Sequence, residues 1–232
     1  MNTSVTLSSA GVKAGMRLNA QERPVLIVFD LDGTLADSRE IARLCFKRVF
    51  ALLGCGEISD ELADSFNGPN ADEVCRIMGV TGEQRALYDQ LLEEAEIDLV
   101  AQIGKTFPGT EQMMADLAPH AALAILTNGS QAYCEANVKN FGFAPYLTRY
   151  SGFVSGVSKA ERIGMWEREL SARRVIVVGD LATDIANARA AGAYAVAVTY
   201  GMGGREELLD ADCLCDTAAD VTRECMRVIA GV

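Results

Sequence analysis

The sequence predicts an α/β fold with a doubly wound parallel sheet that carries an inserted block of helices. Apolar, β-branched runs recur along the chain and are separated by stretches with helical periodicity. Three of these runs end abruptly in polar clusters, and the segment 37–107, which follows the first of them, contains no convincing strand. Strands that alternate with helices indicate a parallel sheet covered on both faces.

The chain divides into three predicted parts. Residues 1–22 are rich in Ser, Thr, Ala and Gly without a clear period, which predicts a poorly ordered arm. Residues 23–36 and 108–232 are expected to form the core, and residues 37–107 an α-helical cap. A helical insertion at the mouth of a site is a natural lid.

Composition excludes several classes of function. Half of the 232 residues are hydrophobic, so a sizeable core is expected, and the net charge of -11 argues against nucleic acid or an anionic membrane as a partner. No apolar run approaches a membrane span, and nothing near the N-terminus looks like a signal-peptide core. The prediction is a cytoplasmic protein in which a metal, a lysine or backbone amides attract any anionic substrate.

The cysteines predict reduced thiols. There are seven of them, an odd number, and no C-x-x-C pair occurs, which indicates buried thiols in a cytosolic protein. A metal pair at Cys213 and Cys215 is the alternative, but these residues lack further ligands nearby.

The first strand and the helices of the insertion are predicted from local patterns. The run that begins at Val25 indicates a buried strand, after which Gly33 allows a sharp turn. Apolar spacing and capping residues predict the following helices: Ser38 to Gly54, residues 60–66, residues 71–78, and a helix from the capping box at Thr81 through Leu99.

The rest of the chain alternates between helix and strand. The predicted helices cover residues 110–117, 131–141, 160–170, 184–191 and 218–229. The predicted strands cover residues 121–126, 174–178 and 193–198, with short strands possible within 143–157 and near Cys213.

Polar groups that follow separate strands should meet. Asp30 and Asp32 follow the first strand, Thr127 the second and Asp180 the third, and Lys159 lies between the second and third. The carboxyl ends of parallel strands share one edge, where open α/β sheets bind ligands. Neighbouring carboxylates favour a divalent cation, magnesium above all. Carboxylates, a lysine and a hydroxyl together suit phosphoryl transfer.

These motifs resemble those of the haloacid dehalogenase-like phosphohydrolase superfamily, in the branch with phosphoglycolate phosphatases and β-phosphoglucomutases. The resemblance spans residues 24–205 and rests on four motifs in order: Phe29-Asp30-Leu31-Asp32-Gly33-Thr34, Thr127-Asn128, Lys159, and Gly179-Asp180 with Asp184. It implies a Rossmann-like core with an inserted helical cap.

The resemblance also implies roles for these residues. Asp30 would be the nucleophile that forms an aspartyl-phosphate, and Asp32 the general acid and then base. Lys159 would balance charge. The phosphoryl group would be held by Thr127, Asn128, Gly129 and Lys159, and Mg²⁺ by Asp30, Asp32 through its backbone carbonyl, Asp180 and Asp184.

Several alternatives stay open. A β-phosphoglucomutase-like phosphomutase has the same cap placement, but the early cap lacks that group's histidine, and His120 is expected in a surface loop. Lys47 is the candidate for the Schiff-base lysine of phosphonoacetaldehyde hydrolases. Lys159 is followed by Ala160 where the branch commonly has proline, and Asp184 could simply cap the next helix. A non-catalytic phospho-ligand binding protein is the third possibility.

Substrate choice is expected to lie in the cap. Arg39, Arg43 and the Asn67-Gly68-Pro69 break are candidates to contact the leaving group, although the arginines could equally be surface residues. The loop 201–205 could also border the site. The combined prediction is a Mg²⁺-dependent phosphatase, phosphoglycolate phosphatase-like, that acts as a monomer or homodimer on a small anionic phosphorylated metabolite.

Overall fold

One parallel sheet of six strands organises the residues that the structure, a computed structural model, describes: 24–67, 69 and 71–231. The strands are Val25–Phe29 (β1), Ala122–Leu126 (β2), Leu147–Ser151 (β3), Arg174–Gly179 (β4), Tyr194–Val198 (β5) and Cys213–Cys215 (β6). Their order across the sheet is β3-β2-β1-β4-β5-β6. The predicted parallel α/β fold is confirmed, while the predicted arm 1–22 and Gly68 lie outside the described residues.

The helices agree with the predicted ones to within about one turn. They are Arg39–Leu52 (α1), Asp60–Asp64 (α2), Ala71–Met78 (α3), Gly82–Ile103 (α4), Thr110–Leu117 (α5), Gln131–Asn140 (α6), Lys159–Leu170 (α7), Ala182–Ala190 (α8) and Ala218–Ala230 (α9), with a short 3₁₀ helix at Arg205–Leu208. The capping box is present at the start of α4, where Gln84 Oε1 accepts from the Thr81 N–H at 3.2 Å. No described helix combines the length and the apolar character that spanning a bilayer needs.

β1 is apolar at every position because both faces of the sheet are covered. Ile27 and Phe29 pack into the core on one face, and Leu26 and Val28 pack into the core on the other, the latter together with Ile163 of α7. Such two-sided burial is typical of parallel sheets and explains the continuous apolar run. It places the end of β1 in the middle of the sheet edge.

The insertion 37–107 leaves and returns at the carboxyl end of β1. The Asp37 N–H donates to the Lys105 carbonyl at 3.0 Å, and the Phe107 N–H donates to the Leu35 carbonyl at 3.2 Å, so the two connecting segments pair with each other. Within the insertion α1 packs on α2 and α4, and α4 also packs on α6. This arrangement sets the inserted helices over the sheet edge where the predicted site lies.

Aromatic side chains hold the inserted helices together. The ring centroids of Phe46 and Phe66 lie 5.3 Å apart, and those of Phe50 and Tyr88 lie 5.8 Å apart.

All seven cysteines are unpaired and most are buried, as expected for reduced thiols. Burial raises the pKa of Cys225 to about 12, so this side chain acts as an apolar thiol.

Candidate active site

The turn after β1 brings Asp30 to the centre of the sheet edge. The Asp30 N–H donates to the Val178 carbonyl at 2.8 Å and so extends the pairing between β1 and β4 by one residue. Gly33 adopts a φ of +79°, and a Cβ there would lie 2.1 Å from Asp180 Oδ2. Glycine at this position therefore lets the turn lie directly against the Asp180 carboxylate.

Three buried carboxylates meet at this edge. Asp30, Asp180 and Asp184 each offer an oxygen within 4.8 Å of the others, and they form the one such cluster found in the described part of the chain. Lys159 Nζ lies 2.7 Å from Asp30 Oδ1 and 3.2 Å from Asp184 Oδ1. Among the described residues, three carboxylates are thus matched by a single direct ion-pair partner, Lys159, which leaves an excess of negative charge.

Burial, and then the neighbouring carboxylate charges, raise the pKa values of this cluster. Burial raises the pKa of Asp30 well above its usual range, Lys159 opposes the rise, and the charge of Asp184 adds to it. Burial likewise raises the pKa of Asp180 to about 6. Oxygen donors that carry excess negative charge in a buried site suit a hard divalent cation, so the residues fit a metal.

Separate segments orient the Asp180 and Asp184 carboxylates. Thr34 Oγ1 donates to Asp180 Oδ1 at 3.1 Å, and the Met202 N–H donates to Asp180 Oδ2 at 2.7 Å, so the loop 201–205 does reach the site. Asp184 Oδ2 accepts from the Leu181 N–H at 3.2 Å. Leu181, and not Asp184, occupies the N-cap of α8, so the reading of Asp184 as that cap is wrong by three positions.

Asp32 lies outside the carboxylate cluster. Its Oδ2 accepts from Thr127 Oγ1 at 3.1 Å, and its Oδ1 accepts from the Tyr133 hydroxyl at 2.6 Å. The Gly129 N–H in turn donates to Thr127 Oγ1 at 3.1 Å. The two carboxylates of the first motif therefore have different partners. The Lys159 ammonium group pairs with Asp30, whereas two hydroxyls donate to Asp32.

Tyr133 is a site residue that the sequence reasoning missed. It is the third residue of α6, which begins where Ser130 Oγ accepts from the Tyr133 N–H at 3.1 Å. Burial, followed by the charge of Asp32, raises the pKa of the Tyr133 hydroxyl well above its usual value, so the hydroxyl keeps its proton and donates. In sequence, it is indistinguishable from a core aromatic residue at the start of an amphipathic helix.

A cavity of about 400 Å³ connects the sheet edge to the inserted helices. Its core half is lined by Asp30, Asp32, Thr127, Asn128, Gly129, Lys159 and Asp184, so every predicted catalytic and phosphate-binding residue reaches one space. Asp180 lies beneath this wall, with no exposed surface. The insertion half of the cavity is lined by residues of α1, α3 and α4 and the segment after α2.

Of the three predicted specificity residues, one lines the cavity and two do not. Asn67 lines the cavity. Arg39 donates to the Gly201 carbonyl at 3.2 Å, and Arg43 pairs with Asp64 at 2.6 Å, so both guanidinium groups are engaged away from the described lining. Lys47 pairs with Asp60, also away from that lining.

His120 is exposed in the loop before β2, as expected. Cys213 and Cys215 belong to no cluster of three or more potential metal ligands within the described residues, which leaves the alternative of a metal pair without support.

The chain is also similar to known proteins. Residues 27–198 match the family described as haloacid dehalogenase-like hydrolase. The chain is 27% identical over 198 residues to the tyrosine-protein kinase PtkA of Mycobacterium tuberculosis, covering 82% of this chain and 66% of that protein. It is 26% identical over 202 residues to a phosphoglycolate phosphatase of Neisseria meningitidis, covering 79% and 84% respectively.

A solved structure supports the fold. A haloacid dehalogenase-like hydrolase, SP0104 from Streptococcus pneumoniae, superposes with a TM-score of 0.76 at 23% identity, covering 86% of this chain and 97% of that one. The chain spans just under two thirds of the length of the PtkA relative, but most of the length of the phosphoglycolate phosphatase.

Proposed function

This chain belongs to the haloacid dehalogenase-like hydrolase family, and we propose that it is a Mg²⁺-dependent phosphatase acting on small phosphate monoesters. The observation that carries the proposal is the unequal treatment of two neighbouring carboxylates. Asp30 is paired with Lys159 at 2.7 Å, while Asp32 accepts from two hydroxyls at 3.1 and 2.6 Å. One carboxylate is set up to attack and the other to move a proton.

In the first step the free carboxylate oxygen of Asp30 attacks phosphorus and the bond from phosphorus to the alcohol oxygen breaks. Asp32, in its protonated form, gives its proton to the departing alkoxide. Lys159 holds Asp30 in place and offsets its charge, which otherwise repels a phosphate dianion. Asp30, Asp180, Asp184 and the Asp32 carbonyl would hold a Mg²⁺ ion, which would further neutralise the phosphoryl charge.

In the second step Asp32, now ionised, takes a proton from water. The water oxygen attacks the phosphorus of the aspartyl-phosphate, and the Asp30 carboxylate leaves. Asp32 can change role between the steps because its Thr127 and Tyr133 partners hold its position. Thr127, Asn128 and Gly129 line the space for the phosphoryl oxygens, which supports their proposed binding role.

Relatives named phosphoglycolate phosphatases support phosphomonoester hydrolysis, and phosphoglycolate is included in the panel of esters below. The net charge of -11 and the unpaired thiols support a cytoplasmic enzyme that does not bind nucleic acid. The monomer and the homodimer both remain part of the proposal.

The test is a panel of phosphorylated metabolites with released phosphate as readout, in Mg²⁺ and in EDTA. We expect release in Mg²⁺ only, and mass spectrometry of a rapidly quenched reaction should find phosphate on the peptide that contains Asp30. A phosphomutase would instead need a bisphosphate activator and conserve phosphate in its product. Binding of panel esters without any release would overturn the enzymatic proposal in favour of a phospho-ligand binding protein.

A further inference from the structure

Two buried hydroxyls in the insertion half of the cavity have no partner. Ser38 Oγ and the Tyr88 hydroxyl are buried without a hydrogen-bond partner among the described residues, and both residues line the cavity. Ser38 is 2% exposed and Tyr88 is fully buried. Most buried polar groups in native proteins are paired, and an unpaired one costs about 1–3 kcal/mol. Two such groups on one cavity point to a ligand that completes them.

The charge of this half disfavours an acidic ligand group. Asp89 and Glu93 line it, and Arg85 is the single cation among the described lining residues contributed by the insertion. Arg85 is already engaged, since its Nε donates to Asp89 Oδ1 at 2.8 Å and it pairs with Asp72. A ligand carboxylate would therefore meet like charge and no available cation.

Glu96 adds an acceptor beside the chemical site. It lies near enough for its charge to raise the pKa of the Tyr133 hydroxyl, and burial, followed by the charge of Asp32, raises the pKa of Glu96 itself to about 8. No hydrogen bond within the described residues engages its carboxyl group. A donor on the ligand would relieve the cost of keeping Glu96 ionised in this surrounding.

Apart from Asn67, the remaining wall is apolar. Its members come from four separate segments of the insertion: Ile41, Phe46, Phe66, Val74 and Leu92. The lining thus combines a hydrocarbon surface with a few convergent polar groups, as is usual in pockets for small organic ligands.

We propose that the insertion half binds the alcohol portion of a phosphoester that has an apolar body and a hydroxyl or ammonium donor, and that it rejects carboxylated esters. This inference rests on the proposed phosphatase function and specifies its substrate class. Tyr88 and Ser38 would bind the donor group, Glu96 would accept a hydrogen bond from it, and Asp89 and Glu93 would set the charge preference.

Three phenyl phosphates that differ only at the para position test the charge preference: hydroxymethyl, aminomethyl and carboxylate. Their phenols are similar leaving groups, so kcat/KM compares recognition. We expect kcat/KM for the carboxylate ester to be at least about tenfold lower than for the better of the other two esters. A loss of about tenfold corresponds to one hydrogen bond to a charged group. The ratio of the other two distinguishes an ammonium from a hydroxyl ligand. Equal values or a carboxylate preference would overturn the inference while leaving the phosphatase proposal intact.

Binding measured without turnover separates the two proposals. Calorimetry on the Asp30→Asn protein with Mg²⁺ reports affinity for the three esters even if the wild type releases no phosphate. The same order of affinities is expected. An inverted order refutes the substrate class, whereas absent phosphate release by the wild type refutes the phosphatase.

Two conservative variants test the unpaired hydroxyls, with 4-methylphenyl phosphate as the matched ligand that lacks a donor. In the Asp30→Asn background, Tyr88→Phe and Ser38→Ala should together weaken binding of the hydroxymethyl ester about fivefold or more. They should change the affinity for the methyl ester by no more than about twofold. Thermal melting of the free variants should show no loss of stability, because each change removes an unpaired buried hydroxyl. Equal weakening of both ligands, or of neither, would overturn the proposed contacts.

Discussion

The two halves of the cavity treat their polar groups differently. In the core half Lys159 pairs with Asp30 and Asp184, and Asp32 accepts from Thr127 and Tyr133. In the insertion half the hydroxyls of Ser38 and Tyr88 have no partner in the described structure. The core half is therefore organised before any substrate arrives, whereas the insertion half is completed by the ligand. We infer that the first performs the chemistry and the second selects the alcohol.

The elements that build each half explain this difference. Parallel strands with backbone pairing from neighbour to neighbour deliver the catalytic carboxylates, and β1 is buried on both faces. Helices packed through aromatic side chains build the insertion half.

The largest expected effect is in the core half. Asp30→Asn should reduce phosphate release at least about 10⁴-fold, the scale expected for loss of a nucleophile, because an amide does not attack phosphorus. Phosphate release under saturating ester measures it, with circular dichroism to confirm folding. Asp116→Asn, an exposed change on α5, is the matched control and should retain wild-type turnover. Substantial turnover by the Asp30 variant would place the nucleophile elsewhere.

Tyr133→Phe should lower kcat about 10- to 100-fold, because Asp32 loses a hydrogen bond worth about 1.5–3 kcal/mol to a charged acceptor. KM should change little, since the hydroxyl orients Asp32 and is not assigned to the substrate. Steady-state kinetics separates the two parameters. Tyr146→Phe, at a partly buried tyrosine packed against the core, serves as control. A change confined to KM would argue that Tyr133 contacts the ester instead.

The stability of the folded protein should depend on Mg²⁺ and on pH, and the effect of each should depend on the other. The pKa of Asp180 is raised by burial from 3.8 to about 6, so the folded protein binds more protons than the unfolded chain between these values. In EDTA, stability should therefore fall as pH rises through this interval. Mg²⁺ competes with those protons, so the gain in Tm that it produces should be a few degrees larger at about pH 7.5 than at about pH 5. Equal gains at both pH values would contradict a metal held by these carboxylates.

The smallest effects concern the predicted specificity residues. Asn67→Ala, at the cavity wall, should raise KM about two- to fivefold through loss of one neutral hydrogen bond. Arg43→Met should leave KM unchanged and change the free energy of unfolding little, because its partners Asp64 and Asp60 are partly exposed. Chemical denaturation and steady-state kinetics measure the two quantities. A large KM change in the Arg43 variant alone would restore that arginine as a specificity residue.

Much of the core half could be predicted because its signals are local. A strand is visible as an apolar run, and the residue that follows it must appear at the sheet edge, so Asp30, Thr127 and Asp180 could be grouped without coordinates. Tyr133 and Glu96 could not be found in this way. Each lies on a helix, and helical periodicity predicts only whether a residue is buried or exposed. It does not predict an interaction with Asp32, which is distant in sequence.

The insertion half shows the same limit in another form. The sequence predicts Arg39 and Arg43 as cations near the site, yet their partners are Gly201 and Asp64, which the spacing of residues does not predict.

By itself the sequence determined the strands, the inserted helices and the residue types at each strand end, because backbone periodicity and turn chemistry act over a few neighbouring residues. Only the tertiary structure decided the strand order, the hydroxyls that hold Asp32, and which buried hydroxyls among the described cavity-lining residues lack a partner. Those features depend on how helices pack across long separations in the chain, where small differences in burial and orientation choose each contact.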